Sequence, residues 1–297
     1  MSILSGKNIL LGITGGIAAY KSIFLLRLLV KSGANVQVIL TPSAKDFVTP
    51  LTLSTLSNRP ILSDFFDKNN QNKVWNNHVD LALWADLFVI APATSNTLSK
   101  MASARADNLL LATYLSSKCP VYFAPAMDLD MHKNMANKEN INRLISFGNK
   151  HIPVNSGFLA SGLEGEGRMS EPPEIVDFII NDLRKDLKLL NKKILITAGP
   201  TYESIDAVRF IGNYSTGKMG FALAKVAAKL GADVTLISGP TSLSMNDDYV
   251  KVINVITADQ MFSEVKKHYE SSEIIIMSAA VSDFKPRSSF DKKIKKE

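Results

Sequence analysis

The chain has 297 residues, 46% of them hydrophobic, with a formal net charge of +6 and one cysteine. That length predicts about two domains, and a lone Cys119 excludes a disulfide framework and zinc-type cysteine spacing. No arginine-rich stretch interleaved with aromatics points to nucleic acid, and part of the positive excess sits in the tail DKKIKKE (291–297), so the balance suits small anionic molecules.

The chain opens with an apolar run, NILLGI (8–13), a glycine turn, TGG (14–16), and a helical stretch, IAAYKSIFLLRLLVKSG (17–33), that ends in lysine and glycine, a helix-stop signal. NVQVILT (35–41) follows as a strand, completing one βαβ unit. DLFVIAPA (86–93) and CPVYFAPA (119–126) are further strands flanking a helix-like ADNLLLATYLSS (106–117). The stretch SGFLASGLEGEGRM (156–169) holds four glycines and is expected to be a flexible loop, neither helix nor strand. VDFIINDLRKDLKLLNKK (176–193) reads as a helix closing a domain, plus a linker. The pattern then restarts with a strand and turn, KILITAGPT (193–201). A glycine-started helix and strand, STGKMGFALAKVAAKLGADVTLIS (215–238), and a last strand, EIIIMSAAV (273–281), complete it.

Alternating strands and helices predict an α/β fold with parallel sheets covered on both faces. The expected domains are a Rossmann-like, flavodoxin-type unit over 1–190 and a second, incomplete Rossmann-like unit over 191–297. No run reaches the ~18 apolar residues of a membrane span, and the N-terminus lacks the layout of a secretory signal. A cytoplasmic location and no membrane partner are expected.

Ligands of open parallel sheets bind beyond the carboxyl ends of the strands. Here those ends carry Thr14-Gly15-Gly16, Thr41-Pro42-Ser43, the segment from Ala91 to Asn96, and that from Ala124 to Asp128. Gly15 and Gly16 lead into a helix N-terminus, whose amides can hold a phosphate. The turn is G-x-x-G-G rather than G-x-G-x-x-G, and no acidic residue follows the second strand to grip a ribose, so a dinucleotide fits poorly. A smaller phosphate-bearing cofactor such as a flavin mononucleotide fits better; a turn used only for packing is the alternative.

Taken together and in order, GITGGIAAYK, APATSNTLSKMA, ADNLL and PAMD resemble the flavin-containing cysteine decarboxylases, and ITAGPT, VRFIGNYSTGKMG, SGP and KIKK extend the resemblance. The whole set is similar to the bifunctional phosphopantothenoylcysteine decarboxylase / phosphopantothenate–cysteine ligases of coenzyme A biosynthesis. The resemblance implies FMN near Gly15, Gly16, Ile17, Thr41, Ser43, Ala93, Thr94, Ser95 and Asn96, with 4′-phosphopantothenoylcysteine as substrate. In that chemistry the flavin oxidises the cysteine moiety to a thioaldehyde, CO2 leaves, and the enethiol is reduced to 4′-phosphopantetheine. His78, in NNHVDLALWAD, matches the family's active-site histidine; alone, such a residue is ordinarily a surface histidine. At the start of a short helix the imidazolium is disfavoured. Met127, Arg168 and Met169 are implied in substrate binding.

Two positions depart from the family pattern. PAMD places Asp128 where the family has an asparagine that donates to the substrate carboxylate. Two like charges ~4 Å apart at an effective dielectric of ~20 oppose each other by about 4 kcal/mol. Segment 156–169 resembles the family's substrate-covering flap, whose glycines let it open and close to exclude water. Its cysteine, the last proton donor, is here Ser161, and an alkyl hydroxyl is a far weaker acid than a thiol of pKa near ~8.5. The reductive half is therefore expected to be crippled.

In the ligase part the resemblance implies CTP with Mg2+, and 4′-phosphopantothenate and cysteine as substrates. Asn213 would sit at the acyl intermediate, with the amides of Ser215 to Gly217 at phosphate and Arg209 in the same motif. Met277, Ser278, Ala279 and Asp283 would serve the nucleotide, and Lys293 would contact CTP. GNYSTGK is also a near miss for a P-loop, but Met219 stands where Ser or Thr would bind magnesium. The segment stops short of the family's further motifs, so a truncated ligase portion without full activity is expected. The family implies homo-oligomers, trimers or dodecamers, with the flavin at a subunit boundary. Two alternatives stand: a peptidyl-cysteine decarboxylase, and a flavoprotein that has lost catalysis and serves as a regulatory subunit.

Overall fold

The computed structural model describes residues 2–66 and 75–295; the last two residues of the lysine-rich tail lie outside the described residues. The chain divides into two compact units, Ser2–Asn181 and a second beginning at Asp182.

In the first unit β1 (Asn8–Ile13), β2 (Asn35–Leu40), β3 (Leu87–Ala93), β4 (Val121–Pro125) and β5 (Lys150–His151) form a five-stranded sheet in the order β2-β1-β3-β4-β5. Every pairing in it is parallel. β1, β3 and β4 are buried along almost their whole length, because helices cover both faces; hence they read as continuous apolar runs rather than alternating ones. α1 (Ala19–Lys31) turns Ala19, Ser22, Leu25, Leu26 and Leu29 inward at helical spacing. α2 (Pro50–Ser57), α3 (His78–Trp84), α4 (Ser95–Ala102), α5 (Leu109–Ser116), α6 (Leu129–Lys133), α7 (Met135–Ser146) and α8 (Pro172–Arg184) complete the layers. Phe88, Ile90, Leu98, Leu110 and Phe123 centre one core cluster. α8 starts four residues before the expected position, because Pro172 and Pro173 occupy its first turn, where a missing N–H costs nothing.

The glycine-rich stretch 156–169 is a β-hairpin, not an irregular loop. β6 (Val154–Phe158) pairs antiparallel with β7 (Glu164–Met169), and Ser161 sits in the turn between them. Glycine counts against a strand on propensity, which hid the ladder. Here close backbone approach demands it: Gly167, at φ +136°, lies against the Met127 carbonyl, leaving no room for a side chain.

The second unit holds a four-stranded parallel sheet in the order β12-β11-β8-β13. Its strands are β8 (Lys193–Ala198), β11 (Asp233–Ser238), β12 (Val250–Asn254) and β13 (Ile274–Met277). A small hairpin, β9 (Tyr202–Ser204) with β10 (Phe210–Gly212), leaves the sheet's carboxyl end. α9 (Lys218–Lys229) packs on the face carrying Ile194, Ile196 and Ala198. Leu195, Ile237 and Met261 form a core with the opposite face, Met261 coming from α10 (Ala258–His268). β12 and α10 lie between the expected elements. The alternation in VKVIN and the capping box from Thr257 to Gln260 are the signals that mark them. Among the described residues no helix is long and apolar enough to cross a membrane.

Candidate active site

The carboxyl ends of β1 to β4 converge on two adjoining clefts. The first, of about 540 Å³, is lined by Gly15, Thr41, Ser43, Thr94, Ser95 and Asn96, six of the residues expected at a flavin. Its shape follows from the turns. Thr14 Oγ1 donates to the Pro92 carbonyl at 2.7 Å and accepts from the Thr94 N–H at 3.1 Å, tying the β1 turn to the β3 turn. A Cβ on Gly15 would stand 2.5 Å from Ser43 Oγ, so only glycine lets the β1 and β2 turns meet. Thr94 precedes α4 in extended geometry and makes no side-chain cap, which leaves the first-turn amides of α4 facing the cleft mouth without one. Ser95 Oγ donates to Asn137 Oδ1 at 2.6 Å. Lys100 and Asp107 pair at 2.7 Å on the rim, and the lysine's hydrogen bond holds the Asp107 carboxyl below its ordinary pKa. Ala93 is fully buried at the end of β3 and accepts from the Ala126 N–H.

The second cleft, of about 530 Å³, shares Ala126 and Met127 with the first. It gathers Gly16, Ile17, Asp128, Ser161, Arg168 and Met169, from four separate segments of the sequence. Asp128 caps α6, its Oδ1 accepting from the Leu129 N–H at 2.6 Å. The Met127 N–H donates to the Gly167 carbonyl at 3.1 Å, fastening the hairpin's root to the loop that bears Asp128.

Sequence reading missed Lys21. Only 3% exposed, it lines this cleft, donating to the Met169 carbonyl at 2.7 Å and to Glu171 Oε1 at 2.9 Å. Arg168 Nη2 donates to the same Glu171 oxygen at 2.7 Å. The hydrogen bond from Lys21, with the charges of both cations, pulls the Glu171 carboxyl below its ordinary pKa. The available signal was helical period: Lys21 lies on the same buried face of α1 as Ser22 and Leu25.

His78 begins α3 as expected, with Asn77 capping it by accepting from the Val79 N–H at 3.0 Å. It lines neither cleft, so this chain alone does not bring it to Asp128 and Ser161. Its ring lies edge-on to Phe65 and Trp75, about 6 Å from each, and its buried Nδ1 has no hydrogen-bond partner. Cys119 precedes β4, at the opposite end of that strand from Asp128; burial pushes its thiol up to about 11.

In the second unit Asn213 Nδ2 donates to the Val281 carbonyl at 2.8 Å. Ser215 Oγ accepts from the N–H of Gly217, whose positive φ starts α9. Thr197 Oγ1 accepts from the N–H groups of both Ser278 and Ala279, so those amides are already engaged inside the fold. Met277 and Asp283 are exposed. Arg209 clamps the buried Asp206, holding its carboxyl well below the usual range, and the same carboxylate accepts from the Ile294 N–H. That contact sets Lys293 beside the loop carrying Arg209.

The flavoprotein family matches residues 2–184, and the DNA/pantothenate metabolism flavoprotein C-terminal domain matches residues 189–297. A Borreliella burgdorferi protein, Coenzyme A biosynthesis bifunctional protein CoaBC, is 46% identical over 98% of this chain and 73% of its own length. The Bacillus subtilis protein of that name is 44% identical over 99% of this chain and 73% of its own. A relative from an unknown prokaryotic organism, named Cysteine/Cysteine sulfinic acid decarboxylase, is 51% identical over 84% of this chain and 70% of its own. Among solved structures, a PPC decarboxylase mutant complexed with pantothenoylaminoethenethiol superposes with a TM-score of 0.53 at 30% identity, covering 60% of this chain and 98% of that one. The FMN binding protein AtHal3 gives 0.52 at 29%, covering 61% and 98%. By these similarities, which span nearly its whole length, the chain belongs to the CoaBC family of flavoproteins.

Proposed function

We propose that the first unit is an FMN-dependent decarboxylase acting on 4′-phosphopantothenoylcysteine in coenzyme A biosynthesis, in the cytoplasm. The observation that carries the reading is the pair of adjoining clefts at the strand tips. One is lined by small polar turns and the uncapped N-terminus of α4; the other holds two cations, a carboxylate and a hairpin. The first fits FMN. Gly15 and Ser43 close a turn that no Cβ could enter, and the α4 amides offer donors to a single phosphate. Gly16, Ile17, Thr41, Ala93, Thr94, Ser95 and Asn96 complete the proposed contacts. Bound there, the flavin supplies the two-electron oxidation that makes loss of CO2 possible.

The chain's own residues do the rest. Arg168 and Lys21 present positive charge to a carboxylate, Met127 and Met169 form apolar walls, and the hairpin covers the cleft against water. Ser161 Oγ, at the hairpin tip, is the hydroxyl placed to hold the final proton. His78 lines neither cleft of its own chain, which supports a homo-oligomer, a trimer or dodecamer, in which a neighbouring copy brings it to the flavin. For the second unit, over 191–297, we propose the CTP- and Mg2+-linked ligase site, with Asn213, Arg209, Ser215, Gly217, Met277, Ser278, Ala279, Asp283 and Lys293 as its residues. Because the Ser278 and Ala279 N–H groups bond to Thr197, their carbonyls are the groups left for a base.

Asp128 favours weighing a second substrate, free cysteine, which the name of the 51%-identical relative also carries. The test is reconstitution with FMN. Bands near ~370 and ~450 nm that stay with the protein through gel filtration, followed by CO2 release from the phosphopantothenoyl substrate, are expected; a folded protein that takes up no flavin refutes the reading.

A further inference from the structure

We propose that Asn137 is a positioning residue of the first cleft: it takes up the hydroxyl proton of Ser95, so that Ser95 Oγ meets the flavin as an acceptor, from a ribityl hydroxyl or a ring N–H, and not as a donor to phosphate. This rests on the FMN reading of that cleft and says which part of the cofactor one of its wall residues serves. Asn137 lies in the first turn of α7, on the face it shares with Ile141 and Leu144, and is 8% exposed. An amide buried on an apolar face is costly unless its polar atoms find partners. Here the partners fix its orientation. Nδ2 donates to the Met131 carbonyl at 2.8 Å, within α6. A carbonyl only accepts, so the NH2 group faces Met131 and Oδ1 faces Ser95. Oδ1 only accepts as well, so the 2.6 Å contact between them is made with the serine's proton.

A hydroxyl has one proton to give. With it committed to Asn137, Ser95 Oγ offers only lone pairs to a molecule in the cleft that it lines. Phosphate oxygens are acceptors too, and two acceptors repel. The phosphate is thus left to main-chain N–H groups at the start of α4, where no side chain caps the helix. Thr94, on the same wall, is spent in the same way, its Oγ1 donating to Thr97 Oγ1 at 3.2 Å. The hydroxyl and N–H groups of a flavin are the partners that Ser95 can take.

The experiment titrates the flavin-free full chain with FMN and with riboflavin, which lacks the phosphate, and reads affinity by quenching of flavin fluorescence. The variants are Ser95→Ala, Asn137→Ala, the two combined, and Asn137→Asp, which keeps an acceptor toward Ser95. Ser95→Ala is expected to weaken both flavins by the same factor, about fivefold, the worth of one neutral hydrogen bond. Asn137→Ala is expected to weaken both in the parent and to change neither once the Ser95 hydroxyl is gone, because it acts through that group. Asn137→Asp is expected to bind riboflavin, which carries no charge to repel, as the parent does. An amide that merely holds the helices together would act with or without the Ser95 hydroxyl, and that result overturns the inference. So does a Ser95→Ala loss confined to FMN, which makes Ser95 a phosphate donor, or no loss at all; both leave the FMN reading intact. Ser95→Ala alone supplies these two refutations should Asn137→Ala fail to fold. A folded parent that takes up neither flavin overturns both the inference and the reading beneath it.

Discussion

Replacing Lys21 by methionine keeps the unbranched apolar stem, shorter by one atom, and removes the charge. In the structure Lys21 is 3% exposed and its ammonium makes two contacts of unequal worth. The Met169 carbonyl accepts it at 2.7 Å in a buried setting, and a hydrogen bond involving a charged donor contributes roughly 1.5–3 kcal/mol. Glu171 is 41% exposed, so water replaces much of what it loses, and that pair adds at most about 1 kcal/mol. Methionine recovers part of this by removing the cost of burying an ammonium. The net loss is about 2 kcal/mol. For a unit of this size one kcal/mol moves Tm by roughly 2–4 °C, so Lys21→Met is expected to melt about 4–8 °C lower. Calorimetry or circular dichroism on the full chain measures this, following the transition that FMN shifts upward. A variant within about 1 °C of the parent refutes the reasoning, because it means that the Met169 carbonyl gains nothing from Lys21.

Ser161→Cys restores a thiol at the hairpin tip. Anaerobic mixing with the phosphopantothenoyl substrate and mass spectrometry should show enethiol accumulating with the parent and saturated thiol with the variant, at least tenfold faster; saturated product from the parent at the variant's rate contradicts this. The Glu171 carboxyl is depressed in the folded state, chiefly by Lys21, so its contribution is full above the unfolded pKa of ~4.3 and is lost as pH falls through the lower folded value. Melting curves of the parent and Glu171→Gln should therefore differ at pH 7, and the gap should narrow progressively as pH falls below the unfolded carboxylate value; a constant gap argues against the pairing. Gly15→Ala places a Cβ 2.5 Å from Ser43 Oγ. Overpacking of that kind costs roughly 1–3 kcal/mol, and FMN affinity by fluorescence quenching should drop at least tenfold, whereas unaltered affinity removes the β1 turn from the flavin site.

The parallel sheets were legible because their strands are buried on both faces, so NILLGI, LFVIAPA and KILITA stand out as unbroken apolar runs ending in glycine, proline or threonine turns. The turns told where ligands gather, since strand tips of one sheet must lie together whatever their distance in sequence. The hairpin was not legible. Gly165 and Gly167 are required because Leu129 and Met127 press against the backbone there, a tertiary demand that lowers local strand propensity. Lys21 was hidden for a different reason: a lysine in a helix is ordinarily solvated, and only its partners Met169 and Glu171, about 150 residues later, make it a buried cation. The place of His78 was legible as a helix start, but in the single chain it lines neither cleft. A motif can announce such a residue; single-chain geometry does not bring it to the site.

The bond from Met127 to Gly167 links two of these features. Asp128 follows Met127 directly, and Arg168 follows Gly167 directly, so a single 3.1 Å hydrogen bond fixes the spacing of the cleft's carboxylate and one of its cations. The hairpin's root is thus tied into the charge pattern, while Ser161, in its turn, and Phe158, at the end of β6, are exposed. On the proposed reading, contact with the substrate carboxylate at Asp128 and the last-proton position at Ser161 therefore fall on two elements, the loop between β4 and α6 and the hairpin turn. That separation is the physical reason why exchanges at 128 and at 161 should act independently: the first on which molecule binds, the second on how far its reaction runs. A double variant whose effects on preference and on product differ from those of the single variants combined would show instead that tip and root move as one body.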